Sequence, residues 1–274
     1  MPIIRYGETL NVLVAAKGHP YLRDPFMAMF DEMEGVSASL VEQPAAMRLM
    51  NSGGMKGFDV LVLYDMPGLD FRAEHPPALA GPDEVLKRGF LDLLNSGIGV
   101  VALHHAIAGW PAWEEYAEIL GGRFLYKPGS LRGVKRPDSG YRHDVTHEIT
   151  CAAPGHPVLD GVPERFTLTD ELYLYEVFED RVTPLLRSGH SFTRDNFYSA
   201  SLAVSGQMFS NQGWSHEDGS NLVGWVKRAR NAPLVYLQPG DGPPTYEDAN
   251  YRRLIANAIQ WVASPEAKAW ARAA

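Results

Sequence analysis

Apolar residues along this chain fall into two alternating rhythms, short unbroken runs and stripes at helical spacing. Residues 10–16 (LNVLVAA) form the first unbroken run, closed by the turn Lys17-Gly18-His19-Pro20, the pattern of a strand covered on both faces. Phe26, Met29, Phe30 and Met33 then recur on one helical face, which predicts a helix with Asp24 as N-cap and Pro25 at its first position. Strands are expected near residues 36–41 and over 60–64, the latter ending at Asp65-Met66-Pro67-Gly68. A helix from about 83 to 94 follows, with Val85, Leu86, Phe90, Leu93 and Leu94 as its stripe and Gly97 as its stop. The nearly all-apolar run 98–103 is a fourth buried strand, which enters His104-His105-Ala106 and then a helix over about 111–120 closed by Gly121-Gly122.

Strands alternating with helices across short turns predict an α/β fold, an open and mostly parallel sheet with helices on both faces, of the flavodoxin-like kind. The rhythm breaks between 122 and about 162, where Gly, Pro and charge are frequent and 142–151 alternates like a strand; this is read as a β extension of the sheet. Two more strands, 222–226 and 234–238, flank the turn Arg230-Asn231-Ala232-Pro233. The last helix is marked by Thr245 and Asp248, resembling a capping box, and by the stripe Tyr251, Leu254, Ile255, Ala258, Ile259 and Val262. One domain over 1–274 is expected, its core at about 10–263 and residues 264–274 a short surface tail.

Composition narrows the function classes. The 274 residues carry a net charge of −8, which argues against a polyanion partner, since phosphate binding needs clustered Lys and Arg. The one basic cluster, Lys227 to Arg230, reads as a solvated strand-to-turn segment. A single cysteine, Cys151, cannot build an internal disulfide or a Cys-rich metal cage. No apolar run approaches the roughly 18 to 20 residues that span a bilayer, and residues 1–10 lack a signal-peptide core, so no membrane partner and a cytoplasmic location are expected.

In open α/β sheets ligands bind beyond the carboxyl ends of the strands. Polar residues stand at four such ends: His19, Asp65, His104 with His105, and Asp241. The turn at His104 is placed like a nucleophile elbow, but imidazole stands where Ser or Cys would attack, and no Gly-x-Ser-x-Gly occurs. Cys151 lies in the alternating segment and reads as a packed residue, so nucleophilic acyl transfer is not expected.

The run GVVALHHAIAGWPAWEEYAEILGGRF, residues 99–124, resembles the signature segment of ThuA-like, trehalose-utilisation proteins. Three later segments are similar to that family in the same order. They are His156-Pro157-Val158 with Gly161, then Asp170-Glu171-Leu172-Tyr173, then residues 236–240 before the helix ending at Trp261. The resemblance implies a fold related to class I glutamine amidotransferases without their nucleophile cysteine, and a link to disaccharide or keto-sugar metabolism. Two positions depart from the family's pattern: Gly240-Asp241 stands for its usual Gly-His, and the histidine at 104 is doubled by His105.

The resulting expectation is a ThuA-like protein that acts on or binds a disaccharide or keto-sugar derivative by general acid–base chemistry. His104 or His105 would carry the proton and Asp170 or Glu171 would orient or share it, imidazole titrating near neutral pH. Substrate contacts are expected from His19, Asp65, Trp110, Tyr173, Trp214 and Asp241, with Trp214 in the polar loop 211–220 favoured for stacking on a sugar face and Trp113 assigned to the core. His19, His104, Asp170, Glu171 and Asp241 include enough donors for a divalent metal, though no tight ligand spacing fixes one. The rival reading is a non-catalytic small-molecule binding or assembly module, and a homo-oligomer is left open. Hydride transfer is weaker, because no Gly-x-Gly-x-x-Gly follows the first strand.

Overall fold

A computed structural model describes residues 9–273. The parallel half of its sheet comprises β1 (Leu10–Lys17), β2 (Val36–Glu42), β3 (Val60–Asp65) and β4 (Gly99–Leu103). The antiparallel part adds β5 (Gly140–Cys151), β6 (Arg165–Leu174), β7 (Thr183–Ser188) and β8 (Leu222–Ala229), and β9 (Ala232–Leu237) joins the two. The path across the sheet is β6-β5-β7-β8-β9-β4-β3-β1-β2. Five strands, β2, β1, β3, β4 and β9, run parallel, in the strand order of flavodoxin-like folds. From β9 outward every pairing is antiparallel: β5, from the expected β extension, and β8, the strand expected at 222–226, join β6 and β7, neither of them expected, in a four-stranded continuation of the same sheet.

Alternation along β1 divides the core. Val12, Val14 and Ala16 join one hydrophobic cluster with Phe26, Met29, Phe30 and the stripe Tyr251, Leu254, Ile255, Ala258, Ile259 and Val262. Leu13 and Ala15 point the other way, into a cluster with Phe90, Leu93, Leu94, Tyr116 and Leu120. Helices α1 (Arg23–Asp31) and α7 (Ala249–Ala263) thus cover one face, and α3 (Glu84–Ser96) and α4 (Glu114–Leu120) the other, while α2 (Ala45–Leu49) and α5 (Ala200–Val204) are short connecting helices. Burial of each large side chain is worth about 1.5–3 kcal/mol, which makes these faces the main source of stability. No helix among the described residues is long and apolar enough to cross a membrane.

Several local expectations are corrected. Helix α1 begins at Arg23, and Leu22 holds the cap position without a side-chain bond, so Asp24 lies inside the first turn. Asp248 is itself the N-cap of α7, accepting from the amides of Asn250 and Tyr251. Thr245 falls in α6 (Pro243–Tyr246), where its hydroxyl donates to the Thr169 carbonyl, 3.2 Å away. Asp83 caps α3 and Gly97 closes it at φ 88°, but Val85 is 81% exposed, one position off the buried face. The expected tail forms a helix, Pro265–Arg272, capped by Ser264 and burying Ala267 and Ala271. Lys227 is not solvated: it points inward from β8, its ammonium donates to the Glu118 carbonyl, and burial pushes it down to about 8.

Candidate functional site

The site grows from the carboxyl end of β4. His104, the first residue past the strand, adopts φ 47°, a left-handed conformation that is strained for a side-chain-bearing residue. The chain therefore turns sharply into a short 3-10 segment, His104–Ala108, and the His104 ring is fully buried against β6 and the chain beyond β9. Its Nδ1–H donates to the Gln238 carbonyl at 2.7 Å, and its Nε2 meets the Tyr173 hydroxyl at 2.7 Å. Glu171 Oε2 lies 3.2 Å and Asp241 Oδ1 3.5 Å from the same nitrogen. Burial works against charge on this ring, but Asp241, Glu171 and Asp170 override it and push His104 up to about 10. His104 is thus an imidazolium at neutral pH, with both ring protons engaged.

Strand β6 contributes Asp170, Glu171 and Tyr173. The Asp170 carboxylate accepts from the backbone amides of Glu171 (2.8 Å), Gly240 (2.6 Å) and Asp241 (3.0 Å), tying the chain beyond β9 to β6. Glu171 points into a cavity of about 210 Å³ shared with His19, Phe124, Tyr126, Tyr141, His143 and Tyr173. A β-bulge places two residues of β5, His143 and Asp144, opposite Glu171, and His143 Nδ1 stands 3.3 Å from Glu171 Oε1. Such a bulge re-aims a side chain without changing the sheet.

His19 arrives from the other side of the crevice. A Cβ on Gly18 would stand 2.5 Å from the Met66 carbonyl oxygen, and Gly18 has φ 109°, so the loop after β1 passes closer to the β3 turn than another residue allows. The His19 ring stacks on His105, centroids 4.7 Å apart, and its Nδ1 lies 2.9 Å from the Pro20 carbonyl. Burial, with the charge on His104, holds His19 below its ordinary value. Asp241 is lowered even though burial alone would raise it, because the His104 imidazolium stands beside it.

Six of the expected positions therefore meet: His19, His104, Asp170, Glu171, Tyr173 and Asp241. His105 adjoins them but is packed; burial, then the neighbouring His19 and His104, push it well below its ordinary value. The neutral ring donates from Nε2 to the Tyr64 carbonyl at 3.0 Å. Asp65 takes no part: it is buried, accepts from Gln43 at 2.5 Å, and is raised to about 6 by burial. Trp110 does not line the cavity, and its carbonyl receives Arg123. Trp214 is buried in the core with its indole N–H on the Asp138 carbonyl at 3.2 Å, so it has no free face for a sugar. The sequence reading missed His143 and the rings of Phe124, Tyr126 and Tyr141. Tyr126 and Phe124 sit just past the helix stop at Gly121-Gly122, the one signal that could have drawn attention to them.

A model of the ThuA family, described as trehalose utilisation, matches residues 11–262. The chain belongs to the ThuA family. Its fold is also that of solved ThuA-like proteins. One from Parabacteroides merdae superposes with a TM-score of 0.64 at 15% identity, over 93% of this chain and 90% of that one. Another, from Bacteroides uniformis, gives 0.60 at 15%, over 94% of each. A cytoplasmic protein of Salmonella typhimurium gives 0.55 at 11%, over 92% of this chain and 98% of that one. No curated protein matches the chain. ThuA membership carries a general link to carbohydrate use, and the amino-acid identity to these structures is low enough that they speak for the fold alone.

Proposed function

We propose that this ThuA-family protein binds a disaccharide or keto-sugar derivative in the crevice at the strand ends and moves a proton on it by general acid–base chemistry. The observation that carries the reading is Glu171, a 96%-buried carboxylate that still lines the cavity and is backed at 3.2 Å by the His104 imidazolium. Glu171 is the proton acceptor. His104 does not shuttle protons; its charge holds Glu171 and Asp241 in place and, through the Tyr173 hydroxyl, favours negative charge developing on a ligand oxygen. The aromatic rings of Phe124, Tyr126 and Tyr141 offer the apolar faces on which a sugar ring packs. The small cavity suits a single sugar unit, the second unit of a disaccharide extending toward the mouth. A cytoplasmic location belongs to the same reading.

The test is turnover by wild type and by Glu171→Gln against a panel of disaccharides and their keto derivatives. General acid–base catalysis is worth about 10² to 10⁴ in rate, so the variant should lose that much. Full turnover by a folded Glu171→Gln protein would remove Glu171 from the chemistry. Sugar binding without turnover in wild type would favour a binding module instead.

A further inference from the structure

We propose that His19, Glu171 and Asp241 hold a divalent transition-metal cation beside the aromatic cavity that His19 and Glu171 line, with its remaining coordination positions open to the ligand. The proposal rests on reading this pocket as the ligand site and adds the group that would meet the ligand's oxygens. One donor atom from each of the three residues lies within 4.8 Å of the others. Zinc-type bonds of about 2.0–2.2 Å bring such donors somewhat closer together, which small rotations of the partly exposed His19 and Asp241 side chains supply.

Two independent features point to a cation. The first is the His19 ring. Its Nδ1–H donates to the Pro20 carbonyl at 2.9 Å, which leaves the Nε2 lone pair as the free donor. Metal-bound histidines are held in this way, the far nitrogen anchored on a backbone carbonyl. Stacking on His105 at 22° fixes the plane of the ring as well. The second feature is Glu171 Oε2, which is buried, has no hydrogen-bond partner of good geometry, and is faced by His104 Nε2 as an ion pair at 3.2 Å. That nitrogen already meets the Tyr173 hydroxyl at 2.7 Å, so the Glu171 carboxylate, which lines the cavity, is left with acceptor capacity that its neighbours do not fill.

The donor set selects the class of ion. One imidazole and two carboxylates suit zinc or manganese, whereas calcium takes six to eight oxygens, more than these residues provide. Three protein ligands with open positions is the arrangement of catalytic rather than structural sites. A cation there would polarise a carbonyl or hydroxyl oxygen of the ligand, and the two carboxylates would then be its anchors.

The experiment is titration of tag-free, chelator-stripped protein with zinc chloride and, separately, manganese chloride by calorimetry, with elemental analysis after desalting. Wild type should bind one equivalent. His19→Ala and Asp241→Asn should each weaken binding by at least tenfold, and His75→Ala, an exposed imidazole outside the cavity, should not. No saturable binding up to millimolar metal, or equal binding by all variants, overturns the proposal. The two readings of the pocket separate cleanly. Turnover by protein that binds no cation sinks the metal site and leaves proton transfer by Glu171. A stoichiometric cation without turnover of any sugar leaves the metal site and sinks the proposed activity.

Discussion

Replacing Gly240 with alanine should destabilise the protein by about 2–6 kcal/mol, and the reason lies directly behind the site. Gly240 has φ 137°, a conformation that side-chain-bearing residues rarely adopt, and such strain costs about 1–3 kcal/mol. A Cβ there would also stand 2.5 Å from the Tyr251 hydroxyl and 3.4 Å from His104 Cβ. Tyr251 is fully buried on α7, and its hydroxyl donates to the Pro239 carbonyl at 2.8 Å. Moving the ring aside strands two buried polar groups, worth about another 1–3 kcal/mol. For a chain of this size each kcal/mol shifts the melting temperature by about 2–4 °C, so a fall of about 10 °C is expected by calorimetry. The double variant Gly240→Ala, Tyr251→Phe isolates the clash. It removes the oxygen that the new methyl meets, so it should be more stable than the sum of the two single losses by about 1 kcal/mol or more. A Gly240→Ala protein melting within 2 °C of wild type, or strict additivity in the double variant, would refute this reasoning.

Three further outcomes follow from other buried groups. His104→Gln should fold less stably by about 3–5 kcal/mol, because it leaves Asp170, Glu171 and Asp241 around a site without their cation; an unchanged urea midpoint at pH 7 would contradict that. Lys227 is held down to about 8 by burial, so between pH 8 and about 10.5 the unfolded chain binds a proton that the folded one does not. Lys227 alone therefore adds stability as pH rises across that window, while His104, held protonated up to about 10, subtracts it; the stability of wild type relative to Lys227→Met, followed by urea denaturation at pH 7.5 and 10, should rise between the two. Cys151 is buried with its thiol on the Pro163 carbonyl, so Cys151→Ala should leave sugar and metal binding intact, and loss of binding in a folded variant would give the thiol a role it lacks here.

The parallel half of the fold was legible in the sequence because its signals are local. An unbroken apolar run, a turn and a helical stripe can each be read within a dozen residues, and four strands and three helices of that half follow from them. The antiparallel part was harder because its pairings are not local. Leu234 to Gln238 is recognisable as a strand, yet nothing within it says that one edge pairs parallel with β4 and the other antiparallel with β8. Among the site residues, the convergence of His19, His104 and Asp241 was readable because topology brings strand ends together. Glu171 was readable only through its family-like segment, since it comes from β6 at the far edge of the sheet. His143 depends on a bulge, which leaves no mark in hydrophobic alternation. Trp214 escapes sequence reading for a related reason: a polar stretch of sequence suggests an exposed ring, whereas the loop folds back and buries it.

The doubling at His104-His105 shows how one strand end can divide its labour. Both rings are buried on consecutive residues, yet their neighbours give them opposite charge states. His104 faces three carboxylates and is held protonated, with Nδ1–H on the Gln238 carbonyl. His105 faces His19 and His104 and is held neutral, with Nε2 on the Tyr64 carbonyl. The left-handed turn at His104 sends the two side chains into these different surroundings. In a nucleophile elbow the same strained turn would present an attacking atom to substrate. Here it presents a fixed positive charge, and in the proposed function the reactive position moves outward to what that charge organises, Glu171 and Asp241 across from His19. A strained turn can be kept while its chemistry changes, because the strain serves placement of whatever side chain sits there.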